Sequence, residues 1–405
     1  MKKKLLSLGL VAALAVSATA CGSSGSGDSA PAETTAASGN ADSSGGAAAA
    51  EGGTIKIGGI GPITGEAAIY GQAVMNGAQL ALDEINAAGG INGMTIEYRF
   101  EDDESDSEKA VNAYNTLKDW DMQVLMGTVT STPCIAVAAK SFEDNIFQLT
   151  PSGSSVPCIE HPNAFRVCFS DPNQGAASAE YIGTHELATK VAVIYDSSSV
   201  YSSGIYEKFA AGAAEQGIEI VSAEAFTADS NKDFSVQLQK AKDNGAELVF
   251  LPIYYTAASL ILAQANNMGY EPMFFGCDGL DGLLTVPNFD LALAEDVMLL
   301  TPFAADAEDE LTQSFVSKYE EQFGGIPNQF AADAYDAIYA IKAAAEDAGI
   351  TSDMTPSDIC DKLVVSMTNI TIDGLTGEGM TWTADGEPNK APKAVKIVDG
   401  VYIAM

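Results

Sequence analysis

Arginine is nearly missing from this chain: Arg99 and Arg166 are the only two in 405 residues, and histidine is as scarce, with His161 and His185 alone. With 20 basic residues against 55 acidic ones and a formal charge of −35, the surface repels nucleic acid and anionic lipid alike. The histidines stand far apart and neither accompanies a G-x-S-x-G nucleophile turn, so Ser/His hydrolysis has no footing. No CxxC occurs, and no histidine lies at ligand spacing from a cysteine, so no metal site is expected. Acids alternate from Glu101 to Asp106 as in a calcium loop. Ser107 nevertheless stands where the sharp-turn glycine belongs and Ala113 where the bidentate glutamate belongs, and a solvated turn is the better reading. Gly59, Gly61 and Gly65 do not keep the G-x-G-x-x-G spacing of a dinucleotide cradle. No enzyme activity and no cofactor are therefore expected.

The one long apolar run, residues 5–20, is shorter than the ~20 residues a bilayer span needs. It follows Lys2, Lys3 and Lys4 and ends in Ala18-Thr19-Ala20, so 1–20 read as a secretory leader. Cys21 then becomes the first mature residue and the expected site of lipidation, although the same cleavage site also suits ordinary secretion. Without the leader the chain keeps 17 basic against 55 acidic residues, a charge of −38. Residues 21–53 are mostly Gly, Ala, Ser and Thr with a few acids and no aromatic residue. They cannot bury enough apolar area to order themselves, and a flexible coil of this length spans roughly 30 Å. The expected location is extracytoplasmic, on a lipid anchor.

The remaining ~350 residues exceed one ordinary domain. Apolar residues make up 47% of the chain, ample for two cores. Strands are expected at 54–60, 94–100, 123–127 and 146–150, alternating with helices at 71–88, 107–119 and 132–144. The pattern repeats with strands at 190–195, 218–223, 247–252 and 273–276 and helices at 203–216, 234–244 and 257–268. Helices at 308–323, 331–348 and 356–367 follow, then short strands at 380–382 and 395–398. Such βαβ alternation predicts an α/β protein of two doubly wound, Rossmann-like lobes. The first lobe would comprise 54–171 plus 302–390 and the second 172–301 plus 391–405, with Pro172, Pro302 and the 388–392 stretch at three crossings of a hinge. Of the later cysteines, Cys134, Cys158, Cys168, Cys277 and Cys360, a Cys158–Cys168 bridge would contribute roughly 2 to 3 kcal/mol; five buried free thiols are the equal alternative.

Ligands of open α/β sheets sit beyond the carboxyl ends of the strands, near bare helix N-termini. Those ends are rich in hydroxyls here. Residues 128–132, with Ser131 and Thr132, can hold a carboxylate together with helix amides. The stretch 151–155, with Ser152 and Ser154, offers a carbonyl and hydroxyls to an ammonium, and Asp278 supplies a full negative charge. Tyr70, Tyr201, Tyr254 and Tyr255 can wall an apolar side chain. Each has a plainer alternative: Ser131 as a helix cap ahead of Pro133, Asp278 as a turn residue before Gly279, the tyrosines as packing.

In the order of its stretches the chain resembles type I periplasmic-binding-fold proteins of the leucine/isoleucine/valine-binding group, the solute receptors of branched-chain amino acid ABC transporters. The resemblance rests on residues 57–71, on 77–93 with Asp83-Glu84-Ile85-Asn86 and Gly89-Gly90-Ile91, and on Thr150-Pro151-Ser152. It continues through Phe165-Arg166 with Gln174-Gly175, Asp233-Phe234-Ser235 and Asp333-Ala334-Tyr335-Asp336-Ala337. It implies that Ser131, Ser154 and the Ser152 carbonyl bind the ligand's carboxylate and amino group, that Tyr201 and Tyr254 are second-lobe aromatics, and that Asp278 takes the ammonium. Two positions depart from the group. The acid is Glu in its best-known members, one methylene longer. Members also often bridge two cysteines near the first-lobe serine, where the sequence offers only Cys134. The implied protein is a monomeric receptor that presents a small amino-acid-like ligand to an ABC permease. A ligand-sensing module of the same fold and a receptor for another small metabolite are the alternatives.

Overall fold

The computed structural model of the protein describes residues 52–405; the leader, Cys21 and the tether as far as residue 51 lie outside the described residues. In chain order the elements begin β1 (Thr54–Gly61), α1 (Ala68–Ala87), β2 (Thr95–Asp102), α2 (Ser107–Asp119), β3 (Val124–Gly127), α3 (Ser131–Asp144), β4 (Phe147–Thr150) and β5 (Ala164–Arg166). The five strands form one parallel sheet in the order β2-β1-β3-β4-β5. Then come α4 (Asp171–Thr184), β6 (Lys190–Asp196), α5 (Val200–Ala213), β7 (Glu219–Phe226), α6 (Ser235–Asp243), β8 (Leu248–Leu251), α7 (Tyr255–Asn267), β9 (Met273–Gly276) and β10 (Met298–Thr301). After α8 (Glu310–Phe323), α9 (Gln329–Asp347) and α10 (Pro356–Met367), the chain ends in β11 (Lys393–Val398) and β12 (Val401–Ala404). The second sheet runs β12-β11-β10-β9-β8-β6-β7, with β11 and β12 added antiparallel at one edge. The result is the expected α/β architecture of two lobes.

Sequence chemistry accounts for most of these elements. Strands covered by helices on both faces read as short unbroken apolar runs: Val-Leu-Met-Gly in β3 and Leu-Val-Phe-Leu in β8 are buried throughout. Helix α2 opens on Asp106, whose carboxylate accepts from the Lys109 amide at 2.9 Å, and carries Glu108 in its first turn and Lys118 in its last, as the helix dipole favours. Helix α10 follows a Thr355 cap with Pro356 in its first turn, where a missing N–H costs nothing. Helices α1, α9 and α10 close over the first sheet in one apolar core, and two further clusters cover the faces of the second sheet.

Four elements carry no legible periodicity. Strand β5 has three residues. Helix α4, with Gly, Ala and Ser at only six of its fourteen positions and few large apolar residues, is held by close approach to α5: a methyl group on Gly175 would overlap the Ile205 carbonyl. Strands β10 and β12 exist because a neighbour pairs with them. Conversely, the strand expected at 380–382 is absent; Met380 and Trp382 make only single bridges, to Ile372 and Pro388. The Trp382 indole instead donates to the Arg166 carbonyl at 2.7 Å and is buried there. All five cysteines of the described residues are free and buried, so the bridge between Cys158 and Cys168 is not the arrangement adopted. Cys158 lies beside Cys134 instead, which also corrects the expectation that Cys134 alone occupies the neighbourhood of Ser131.

Candidate functional site

The carboxyl ends of β1, β3 and β4 face those of β6, β8 and β9 across the gap between the sheets, and the loops there close on a narrow cavity of about 10 Å³. Tyr70, Ser152, Ser154, Tyr201, Tyr254 and Asp278 all line it, so six of the eight residues singled out as ligand contacts meet at one cavity. Ser131 stands one step behind the wall: its hydroxyl is 3.5 Å from that of Ser154 and accepts from the Ser155 amide at 3.2 Å. It is the first residue of α3, not its cap; Thr130 holds the cap position. Thr132 is a correction. As the second residue of α3 it turns outward and is exposed, its carbonyl accepting from the Ser107 hydroxyl at 3.4 Å, and it adds no group to the cavity.

The hydroxyl-bearing wall is fixed from behind. Ser152 donates to the Val129 carbonyl at 2.7 Å and Thr150 to the Thr128 carbonyl at 2.5 Å. Arg166, wholly buried, donates to the carbonyls of Gly153 and Ser154 and sits 3.4 Å from Glu387. One of the two arginines is therefore spent on holding the loop 152–155 and not on a ligand.

The opposite wall carries charge. Asp278 is 5% exposed, and its carboxylate accepts from the Tyr201 hydroxyl at 2.6 Å while that hydroxyl accepts from the Gly279 amide at 3.0 Å. Burial pushes the Asp278 carboxyl up to about 7; the Tyr201 hydrogen bond pulls against this and neighbouring Asp333 adds to it. Asp333 is itself paired with Lys390 at 2.8 Å. Tyr70 stacks on Phe330 with ring centres 4.1 Å apart and meets Tyr254 edge-on at 5.4 Å, which leaves an aromatic box between the hydroxyls and the acid.

Two groups escaped the sequence reading. Phe330 enters the site on the first turn of α9, from a part of the chain that reads only as framework. Asp171, known from the sequence only as a crossing residue, is buried with both carboxylate oxygens unpartnered. It lies beside Ser154 and Ser155, and burial and the charge of Asp278 hold its pKa well above the usual carboxylate range. The signal available for it was its place at the opening of a helix beside Pro172, which reads first as helix-capping chemistry.

A larger open groove of about 510 Å³ lies at the amino ends of β1 and β3. It is the wrong end of the sheet for a ligand, and its two lysines are engaged, Lys56 with the Trp120 carbonyl at 2.9 Å and Lys118 with Asp144. Among the described residues no three His, Cys, Asp or Glu side chains are placed to hold a metal ion, and no helix is long and apolar enough to cross a membrane.

Similar proteins have the same architecture. A Leu/Ile/Val-binding protein homolog of Brucella melitensis is 31% identical over 290 residues, covering 69% of this chain and 75% of its own length. The crystal structure of the branched-chain amino acid transporter substrate-binding protein LivJ of Streptococcus pneumoniae, in complex with isoleucine, superposes with a TM-score of 0.78 at 28% identity, covering 87% of this chain and 98% of that one. A solute-binding protein of an R. palustris ABC transporter in complex with benzoate shares the fold, with a TM-score of 0.76 at 19% identity over 87% of this chain and 95% of its own. The sequence profile described as periplasmic binding protein matches residues 54–400. With a two-lobed α/β frame, a cavity between the lobes and this match over most of its length, the chain belongs to the periplasmic binding protein family, a family of solute-binding proteins and not of enzymes.

Proposed function

We propose that the chain is the extracytoplasmic receptor of an ABC importer, that it closes its lobes over a small zwitterionic amino acid, and that a lipid on Cys21 keeps it at the membrane beside its permease. One observation carries the reading: a buried carboxylate, Asp278, stands on one lobe across from a rigid cluster of hydroxyls and helix amides on the other. Such a site matches an ammonium at one end and a carboxylate at the other. The amino acids named for the Brucella and Streptococcus proteins support a branched-chain or similar ligand. In this arrangement Ser131 and Ser154 with the α3 amides receive the carboxylate, while Ser152, Asp171 and Asp278 surround the ammonium. Tyr70, Tyr201, Tyr254 and Phe330 enclose the side chain. Calorimetry with leucine, isoleucine, valine and alanine, each beside its des-amino acid, tests it. Binding of one amino acid with loss of binding for its des-amino counterpart is expected; equal binding of the two would overturn the assignment. Cys21→Ala protein should leave the membrane fraction of intact cells, and its retention there would remove the lipid anchor from the proposal.

A further inference from the structure

The backbone of Asp278 is held from both sides by glutamine side chains. Its amide donates to the Gln174 side-chain oxygen at 3.2 Å, and its carbonyl accepts from the Gln329 side-chain nitrogen at 2.9 Å. Both glutamines are buried, and neither lines the cavity. They reach the acid from different lobes. Gln174 is the fourth residue of α4, which packs against the second sheet, whereas Gln329 is the first residue of α9, whose apolar face lies in the core of the first. Gln329 also holds the far end of the turn 278–281: its backbone amide donates to the Asp281 carboxylate at 2.8 Å. Within the turn the Asp281 amide donates to the Asp278 carbonyl at 2.9 Å. The Thr301 hydroxyl, donating to the Gln329 side-chain oxygen at 3.2 Å, orients that amide in turn.

A carboxamide carries both a donor and an acceptor, so the same side chain serves the N–H of Asp278 on one side and its C=O on the other. Aspartate has a single methylene, which keeps its carboxylate close to its own backbone. The direction in which the Asp278 charge points is therefore set largely by the peptide units on either side of it. Tyr201 fixes the carboxylate at 2.6 Å, and the two glutamines fix the backbone from which it projects. A polar site whose support lets it shift by about 1 Å loses much of its effect.

We propose that Gln174 and Gln329 are positioning residues that aim the Asp278 carboxylate at the ligand, and that Gln329 makes this aim depend on the first lobe. The inference rests on the reading of Asp278 as the partner of a ligand ammonium. Gln174 belongs to the same lobe as the acid and holds it whichever way the lobes stand. Gln329 belongs to the other lobe, so the turn 278–281 is gripped at both ends only where α9 meets it. Ligand contact with Asp278 and the seating of α9 against the second lobe are thereby linked through one side chain.

The test is a double-mutant cycle by calorimetry on the full chain. The probe is whichever of leucine, isoleucine, valine and alanine binds the wild type most tightly. Gln174→Met and Gln329→Met are each measured alone and together with Asp278→Asn. Each alone should weaken binding about 5- to 30-fold. In the Asp278→Asn background the further loss should fall below about threefold, because there is no longer a charge to aim. A merely structural role would cost the same in both backgrounds, so equal losses overturn the positioning role, as does wild-type affinity in both single variants. Equal losses leave the reading of Asp278 standing. Wild-type affinity in Asp278→Asn itself, or binding of none of the four amino acids, overturns that reading and this inference with it. Should the Met variants fail to fold, Gln174→Asn and Gln329→Asn, whose amides stop one methylene short of the turn, decide by the same cycle.

Discussion

Asp278 is the residue on which affinity turns. Truncating one partner of a buried, hydrogen-bonded charge pair costs about 2 to 5 kcal/mol, roughly 30-fold to several-thousand-fold in affinity. Asp278→Asn keeps the shape and the oxygen facing Tyr201, so calorimetry should show that loss for the cognate amino acid. Binding within about threefold of wild type, under about 0.7 kcal/mol, would reduce Asp278 to a turn residue. The free carboxyl takes up its proton near pH 7, and only its ionised form attracts an ammonium. Affinity should therefore fall as pH drops from 8 to 6, approaching tenfold per unit below 7. Asp278 was legible because a lone acid after a strand end is conspicuous beside so few other charges. Asp171 was not, because its meaning comes from being buried without a partner, and burial is decided by residues far away in sequence such as Gly204, beside which its carboxylate lies.

Helix α9 shows how an element carries a site it was not seen to carry. It delivers Phe330 to the cavity, and its first residue, Gln329, ties the chain together there: its amide donates to Asp281 at 2.8 Å and its side chain to the Asp278 carbonyl at 2.9 Å. The helix is seated by close approach to α1, where Gly77 faces the Ala331 carbonyl and a methyl group would overlap it. Gly77→Ala should therefore push the two helices apart and cost about 1 to 3 kcal/mol, read as a lower denaturation midpoint at unchanged m-value, with weaker ligand binding because Phe330 and Gln329 move with α9. Unchanged stability would mean that the helices part without consequence. A helix was expected at 331–348, but which sheet it covers depends on where the chain goes after β10.

For the whole molecule the question is closure. Tyr70, on the first lobe, donates to the Gly279 carbonyl and accepts from the Tyr255 amide at 3.3 Å on the second, and the Thr256 hydroxyl donates to the Glu66 carbonyl at 2.8 Å. Tyr70→Phe removes two of these interlobe bonds while keeping the stack on Phe330. A penalty of about 1 to 2 kcal/mol on the closed state should weaken ligand binding about 5- to 30-fold and raise the ligand-free radius of gyration in small-angle scattering. An unchanged affinity would show that ligand contacts alone close the lobes. The same closed interior holds acids that prefer to be neutral: burial raises Asp281 to about 7 and Asp333 to about 6, alongside Asp278. Their folded pKa values lie above the ~3.9 of an unfolded Asp, so the stability they contribute is complete below pH ~4 and is lost as pH rises through 7. The melting temperature of the ligand-free protein should be higher at pH 5 than at pH 8, and the reverse order would show that these carboxyls are not buried in the free protein.

The amino-acid sequence determined by itself what depends on local pattern: alternating strands and helices, hence a parallel α/β frame, and hydroxyls and aromatics at strand ends. These are properties of residues near one another in the chain, set by side-chain period and by bare helix amides. Tertiary structure alone decided which strand ends face each other, that Thr132 turns outward while Phe330 turns in, that Asp171 is stranded without a partner, and that Cys158 lies beside Cys134 with neither bridged. Each of those outcomes depends on contacts between segments distant in sequence. Propensity and spacing hold no record of such contacts until the sheets have formed and packed.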